Sequence, residues 1–316
     1  MGFCLLSLGR LEEAVAPLRS SVDMGVEDRN WVEASVRAGT LAELNLTLGR
    51  IHDALHEGNR AVALADKTKD PARRRSERAG LADVLQAAGK RDQALRVFEE
   101  AEEFQKQCDP STPFLFSLPA YWYLDRLLSS VETIAWRAFL TRTPAFAPGA
   151  RDLCRRVSRY SSMVQELQDR DPGMSNLDVA LPFLAAARAA LYDAVLEDAF
   201  PHNEEIFPKI LPSVSRAMTA LHRARRRDYL PRGYLTQAWS RFLAGDPPGA
   251  RADLEAAESI ARRGPMRLHL ADVHLHRARL FRDAVELQKA SSLVEEIGYR
   301  RRKPEIDAAN AVAAGW

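Results

Sequence analysis

The stretch that decides the fold lies at residues 42–61, AELNLTLGRIHDALHEGNRA, and is matched 40 residues later by residues 82–101, ADVLQAAGKRDQALRVFEEA. In both copies a small residue precedes a glycine by seven positions, and small or apolar residues follow it by five, nine and twelve positions. The same spacing occurs at the start of the chain and again far downstream. The matched positions are Gly2, Gly9, Ala14, Leu18 and Ser21; Ala42, Gly49, Ala54, Gly58 and Ala61; Ala82, Gly89, Ala94, Phe98 and Ala101; and Ala238, Gly245, Ala250, Leu254 and Ala257. Self-similarity at a fixed interval predicts a repeat architecture.

This spacing indicates two helices joined at the glycine. The glycine ends the first helix, because a left-handed backbone conformation carries no steric cost without a Cβ atom. The small residues allow the two helices to approach closely. The second helices carry apolar residues at helical spacing: Ile51, Ala54, Leu55, Gly58, Ala61, Val62 and Ala65, and Ala94, Val97, Phe98, Ala101 and Phe104. We therefore predict helical hairpins.

The rest of the chain also favours helices, and no segment alternates convincingly between apolar and polar residues. Residues 110–228 keep helical spacing without the small-residue pattern, so we interpret them as degenerate repeats. Proline predicts helix ends at Asp109-Pro110, 143–149, 171–173, Phe200-Pro201 and Leu230-Pro231. After residue 263 we expect a hairpin over about 266–297 that ends at Gly298, followed by a last helix that opens at Pro304.

The predicted fold class is all-α: a right-handed superhelical solenoid of about six to seven antiparallel helix hairpins with a C-terminal capping helix. We divide it into N-terminal repeats at 1–109, of which the first is incomplete, degenerate helical repeats at 110–228, and C-terminal repeats with the capping helix at 229–316. The three parts are expected to form one continuous solenoid.

The segments LTLGRIHDALHEGNRA around Gly49 and AGKRDQALRVFEEA around Gly89 resemble tetratricopeptide repeats. The resemblance covers residues 1–107 and 229–263. The copies here are longer than the roughly 34 residues usual for that family, which implies longer helices or loops. The resemblance implies a solenoid whose first helices line a concave surface and whose second helices form the convex back.

A narrower resemblance covers the C-terminal third, residues 228–280 and 292–306, and the segment FSLPAYWYLDRLL at 116–128. These stretches resemble the repeat region that follows the ATPase core in bacterial STAND proteins, which are signalling ATPases with NACHT-type or related nucleotide-binding modules. The resemblance implies a sensor for a ligand, usually a protein, and a fused or neighbouring ATPase module. The chain opens inside a repeat, so we expect it to be a fragment or a truncated product.

The composition of the chain excludes several classes of protein. The chain has 45 Lys and Arg against 43 Asp and Glu, for a net charge of +2, with 46% hydrophobic and 28% charged residues. These values argue against disorder and give no whole-chain reason to expect nucleic acid. The three cysteines are widely spaced, and we identify no signal peptide and no membrane-spanning stretch. We expect a cytoplasmic protein, with the basic runs at 73–75 and 300–303 leaving nucleic-acid or acidic-protein contact as a minor alternative.

The sequence carries no convincing catalytic or metal motif, and we expect neither an enzyme nor a cofactor. No phosphate-binding loop of the Walker type is present. His52 and His56 have the i, i+4 spacing of a zinc pair but lack an evident third ligand, so we expect exposed histidines. A helix would spread His269, His274 and His276 around its circumference, so we expect no metal site there, and we expect Arg267, His269, Asp272 and His276 to serve surface and inter-helix hydrogen bonding.

The expected binding surface is the concave face, with a protein or peptide ligand in its groove. Its candidate contact residues, projected from the repeat spacing, are Glu43, Leu46, Thr47, Asp83, Gln86, Arg232, Trp239 and Phe242. Tryptophan and arginine often dominate interface energy. For Trp239 and Phe242, packing against the neighbouring hairpin is an equal alternative, because aromatic side chains also fill cores.

The sequence thus predicts a non-enzymatic interaction or ligand-sensing scaffold. A repeat region that receives an effector in a bacterial transcription regulator is an alternative within the same class. A metal-dependent hydrolase that uses His52 and His56 is the alternative from another class.

Overall fold

The computed structural model describes residues 2–112, 114–143, 149–170, 175–197 and 206–316. Within these ranges the chain forms α-helices, one short 3₁₀ turn at Arg300–Arg302 and no strand. The helices are α1 (Gly2–Ser7), α2 (Leu11–Glu27), α3 (Trp31–Thr47), α4 (Ile51–Asp66), α5 (Pro71–Ala87), α6 (Arg91–Cys108), α7 (Ser117–Thr141), α8 (Ala150–Arg170), α9 (Asn176–Leu196), α10 (Ile206–Ala224), α11 (Leu230–Leu243), α12 (Pro247–Arg263), α13 (Arg267–Phe281), α14 (Ala284–Ile297) and α15 (Lys303–Ala313). The all-α prediction is confirmed.

The repeat glycines end their helices as predicted. Gly49 has a φ of +78°, in the left-handed region, and its amide donates to the carbonyl of Leu46. The next amide, of Arg50, donates to the carbonyl of Asn45, so the turn satisfies two carbonyl groups that the helix end leaves free. The same pair of hydrogen bonds and a positive φ recur at Gly9, Gly89 and Gly245. Each of these glycines therefore joins two antiparallel helices.

Successive helices pack in sequence order, including α2 on α3, α3 on α4, α4 on α5 and α5 on α6. The small residues of the repeat pattern lie at these contacts: Ala54, Ala61, Ala94, Ala101, Ala250 and Ala257 are all fully buried. Ala94 lies against Leu81 and Leu85 of the preceding helix, and Ala61 lies in a cluster with Val22 and Ala38. The fold is therefore a helical repeat solenoid built from packed helix pairs.

Most predicted helix ends are found where proline places them. Helix α6 ends at Cys108, before Pro110, and α11 begins at Leu230 with Pro231 in its first turn. Helix α14 ends before Gly298, and α15 begins at Lys303 with Pro304. The predicted breaks at 144–148, 171–173 and Phe200-Pro201 fall outside the described residues.

Three prolines lie inside helices that the sequence did not mark as broken. They are Pro17 in α2, Pro182 in α9 and Pro212 in α10. Proline removes one helical hydrogen bond at each of these positions. Packing can offset that loss, as the burial of Pro182 among its neighbours illustrates.

The chain forms two compact units. The first contains Met1–Tyr123, Arg262–Leu268 and Val294–Arg302, so two short C-terminal stretches belong with the N-terminal hairpins. Their backbones pass close to two repeat glycines: a Cβ atom on Gly49 would lie 2.9 Å from Cβ of Arg267, and one on Gly89 would lie 2.8 Å from Cβ of Arg300. Glycine is needed here for close approach as well as for its φ. The three-part domain division remains a prediction.

The second unit contains Leu124–Ala261, His269–Leu293 and Lys303–Trp316. Its core holds two stacked indoles, Trp136 and Trp239, with ring centroids 3.5 Å apart. The guanidinium of buried Arg279 lies 3.8 Å from the Trp136 ring and donates to Glu305 at 2.6 Å. A charge at this depth is tolerated because it is both paired and stacked on an aromatic face.

Helix α9 is long and apolar enough to span a membrane by length and composition, which differs from the sequence-based expectation that no such stretch exists. Within the described chain it is the single helix of this kind, and 67% of its most apolar window is buried inside the fold. It packs against α8 and α10. A core helix of a soluble protein has the same composition, so this helix is weak evidence for a membrane.

The packing of Ala94 predicts a large effect of charge at that position. Ala94 is fully buried, so Ala94→Asp would place an unpaired carboxylate between α5 and α6. We expect a loss on the order of 3 kcal/mol or more in the free energy of unfolding, measured by chemical denaturation. Gln93→Asp, at an exposed position of the same helix, should change it by less than about 0.5 kcal/mol. Equal midpoints for the two variants would contradict the hairpin alignment.

Because Arg300 lies close to Gly89, we predict that alanine lowers the free energy of unfolding more at Gly89 than at Gly245, although the two turns have the same geometry. Gly89 and Gly245 have φ values of +77° and +81°, but a Cβ atom on Gly245 would meet nothing within 4 Å. Alanine at either site should cost about 1 kcal/mol from backbone strain. Gly89→Ala should cost about 1 to 3 kcal/mol more, because its methyl group overpacks the contact with Arg300. Matched denaturation curves measure the difference, and equal losses would contradict the close approach.

Candidate functional site

The eight predicted groove residues divide evenly by burial. Leu46, Asp83, Gln86 and Trp239 are buried, with exposed fractions of 3%, 6%, 1% and 1%. Glu43, Thr47, Arg232 and Phe242 are partly exposed. A buried side chain contacts a ligand only where a cavity reaches it. The role of the eight residues in partner binding remains a prediction. Their burial determines which of them a ligand can reach.

The predicted residues on α11 mainly pack within the second unit. Trp239 stacks on Trp136 and lies 5.6 Å from the ring of Tyr192, so it packs in the core of the second unit. Phe242 meets Phe139 and Phe281 edge-on at 5.9 and 5.5 Å. These contacts correspond to the packing alternative for both side chains.

Arg232 and Thr47 make local contacts. The guanidinium of Arg232 lies 5.9 Å from the ring of Tyr229. The Thr47 hydroxyl donates to the carbonyl of Glu43, one turn earlier on α3, at 3.0 Å. Neither side chain lines the cavity described next.

A small cavity lies between α3, α4, α5 and α7, within the first compact unit. Three of the predicted groove residues, Glu43, Leu46 and Asp83, line it together. The other lining residues are Gly39, Ala42, Gly58, Ala61, Glu77, Gly80, Leu81, Val84 and Trp122. Its free volume is about 20 Å³, which is room for one group the size of a water molecule.

Helical spacing explains how the sequence builds this cavity. Gly39, Glu43 and Leu46 lie three and four residues apart, so they share one face of α3. Glu77 and Leu81 on α5 share a face for the same reason. Gly39 has no side chain, and a Cβ atom there would collide with Oε2 of Glu77. The glycine thus makes room for a carboxyl group between two helices.

Glu77 is the chemically distinctive residue of the cavity. Its exposed fraction is 8%, and its carboxyl group lies against the Cα side of Gly39. Burial raises the pKa of Glu77 to about 8, and the nearby positive charge of Arg73 offsets only part of this effect. Ionising a carboxyl group at this depth is costly, so the position is unusual for a residue that only packs.

Among the cavity residues that sequence reasoning missed are its third acidic residue, Glu77, and its aromatic residue, Trp122. Glu77 lies on α5 one turn before Gly80, and its distance from Glu43 in the chain concealed their proximity. Trp122 lies on α7, where the repeat pattern is absent, and its ring is 3.8 Å from the position that a Cβ atom on Gly80 would take. The available signal for Glu77 was Gly39, because a glycine in the middle of a helix indicates that another group approaches closely.

The histidines singled out in the sequence do not form a metal site in the part of the chain that the structure describes, where no three His, Cys, Asp or Glu side chains converge suitably. The side chains of His52 and His56 are 98% and 69% exposed. The expectation of a surface role for His269, Asp272 and His276 was wrong, because all three are buried. Burial lowers the pKa of His269 to about 4. His274, for which no such role was predicted, forms an inter-helix hydrogen bond with Glu286 at 2.7 Å.

No protein-family model matches this chain, and a search of curated proteins also finds no match.

The burial of Glu77 predicts a specific dependence of stability on pH. Because its pKa rises from 4.5 to about 8 on folding, the folded state binds more protons than the unfolded state between these values. The free energy of unfolding should therefore fall as pH rises through this interval, by up to about 4 kcal/mol. Glu77→Gln keeps the shape without the ionisation, so it should match wild type near pH 4 and be more stable at pH 9. Denaturant titrations at each pH measure this, and parallel pH profiles would contradict it.

Proposed function

We propose that this chain is a non-enzymatic interaction or sensing module that binds a partner protein or peptide where α3, α5 and α7 meet. The observation that supports the proposal is the cavity lined by Glu43, Asp83 and Glu77, whose pKa is raised by burial. A stability-only role would favour apolar or paired side chains at such a position. Binding sites often contain ionisable groups whose pKa is shifted by burial.

The chemistry of the lining favours binding over catalysis. The lining side chains are carboxylates, small or aliphatic groups and one indole, so a hydroxyl, thiol or imidazole nucleophile is absent from the cavity residues that the structure describes. Carboxyl groups can transfer protons, but a free volume of about 20 Å³ does not admit a substrate bond beside its leaving group. The cavity suits one end group of a ligand whose remainder stays outside.

We place the chain in a signalling context through its sequence. The hairpins with glycine at their turns support assignment to the tetratricopeptide type, and residues 228–280 support a sensor region of a STAND-type signalling ATPase. A fused or neighbouring ATPase module would then supply the nucleotide chemistry, and the complex would be cytoplasmic. Reading the gene for an in-frame ATPase module tests this assignment.

Capture of a partner with charge variants tests the proposed surface. Glu43 is partly exposed at the cavity and lies on α3, whereas Glu99 is exposed on α6 outside it. Glu43→Lys should lose a partner that wild type and Glu99→Lys retain, by at least about tenfold in affinity measured with purified components. Crosslinks from the bound partner should map to α3 or α5.

Melting temperatures of the two variants serve as the folding control. If the Glu43→Lys variant binds as tightly as the Glu99→Lys variant, another surface carries the interaction. If both variants lose binding to the same extent, the effect is one of overall charge and the proposed location is wrong.

A further inference from the structure

We propose that a basic cleft at the end of α10 binds an acidic segment of a partner protein. The cleft lies in the second compact unit, so the inference does not depend on the cavity that carries the proposed function. It assigns a role to exposed arginine side chains that the proposed function does not use.

The cleft forms where the start of α9 meets the end of α10. It is lined by Asn176, Thr219, His222, Arg223, Ala224 and Arg225. The cleft is open to solvent and has a volume of about 870 Å³, so an extended chain segment can enter it. Polar atoms form much of its wall, so the ligand that suits it is a polar one.

The backbone at the end of α10 places two arginines at this cleft. Arg223 lies in the last turn of the helix, and Arg225 follows the helix with a φ of +54°. The amide of Arg225 donates to the carbonyl of His222 at 3.2 Å, and the His222 ring lies 3.2 Å from the Tyr234 hydroxyl. These contacts hold the turn in place, while both arginine side chains are exposed.

The charge of the cleft complements carboxylates. Two arginines line it, and no acidic residue occurs among the lining residues that the structure describes. Two acidic residues close to them in the chain have contacts of their own: Asp228 pairs with Arg226 at 2.6 Å, and Asp178 accepts a hydrogen bond from the Ser175 hydroxyl at 2.7 Å. A guanidinium group binds a carboxylate through two parallel N–H donors, so an acidic side chain fits this lining.

The other two basic runs are largely used within the fold. All three arginines at 73–75 are partly buried, and Arg75 donates to Gln105 at 2.6 Å. In the run at 300–303, Arg301 and Arg302 are buried. The sequence left these two runs open to contact with an acidic protein, whereas the exposed arginines of the structure favour the end of α10.

The small extent of the basic surface favours a short acidic segment over a nucleic acid. Nucleic-acid-binding proteins spread Lys and Arg along a stripe or groove that follows many phosphate groups. Here the exposed arginines are Arg223, Arg225 and Arg227, and the net charge of the chain is only +2. A cluster of this size matches about two or three carboxylates.

Fluorescence anisotropy of a labelled hexaglutamate peptide, titrated with the full chain, tests the proposal. We expect saturable binding that weakens as the NaCl concentration rises, because salt screens exposed charges. A hexaglutamine peptide of the same length should not bind. Absence of hexaglutamate binding at low ionic strength, or equal binding of both peptides, would overturn the proposal.

A pair of double variants locates the contact. Arg223→Gln with Arg225→Gln should weaken hexaglutamate binding about three- to thirtyfold, the range expected for loss of two exposed ion pairs. Arg19→Gln with Arg96→Gln removes the same charge from exposed positions on α2 and α6, and binding should stay within about twofold of wild type. Equal losses in the two double variants would show an effect of net charge and overturn the location.

Backbone amide NMR of the wild-type chain locates the peptide without any substitution. Addition of hexaglutamate should shift the amide signals of Asn176 and Thr219, which line the cleft, and leave that of Gly39 in the first unit unchanged. Binding that leaves the signals of Asn176 and Thr219 unchanged would overturn the proposed site.

Two further probes identify the kind of anion. Labelled single-stranded dodecathymidylate should bind at least about tenfold more weakly than hexaglutamate at the same ionic strength. Tighter binding of the oligonucleotide, lost in the Arg223 and Arg225 double variant, would overturn the acidic segment and indicate a nucleic acid. Inorganic phosphate that displaces hexaglutamate at equal concentration would likewise overturn it and indicate a site for a small anion.

Discussion

The structure depends on close contact between helices that are joined at glycine turns. A left-handed glycine reverses the chain with two backbone hydrogen bonds, and alanine at the following contact lets the two helix axes approach. Ala54, Ala94 and Ala250 occupy equivalent places in three hairpins and are all fully buried. Because each hairpin buries only part of its apolar surface alone, it needs its neighbours, and the array forms by stacking.

The same small residues create the candidate site. Close helix packing usually removes free volume, but Gly39, Gly58 and Gly80 leave a gap where several helices meet. The gap admits the Glu77 carboxyl group, whose burial raises its pKa to about 8. The first unit thus places an ionisable group in its core, at a cost in stability. Such positions are expected where binding, rather than packing, sets the residue type.

In the second unit, two buried arginine side chains form ion pairs with buried carboxylates. Arg188 donates to Asp125 at 2.5 Å and also approaches Glu132, and Arg279 donates to Glu305. These buried ions have partners, so their desolvation is offset by pairing.

The sequence by itself determined the helical hairpins, their turns at Gly49 and Gly89, and most helix ends, because spacing and backbone chemistry are local properties. It also identified three residues of the cavity, Glu43, Leu46 and Asp83, as candidates for partner binding. Only the tertiary structure decided that Trp239 lies in the core, that His269 is buried, and that Glu77 lies beside Gly39. Burial depends on which residues from distant parts of the chain meet, and helical periodicity gives the direction of a side chain without identifying what lies opposite it.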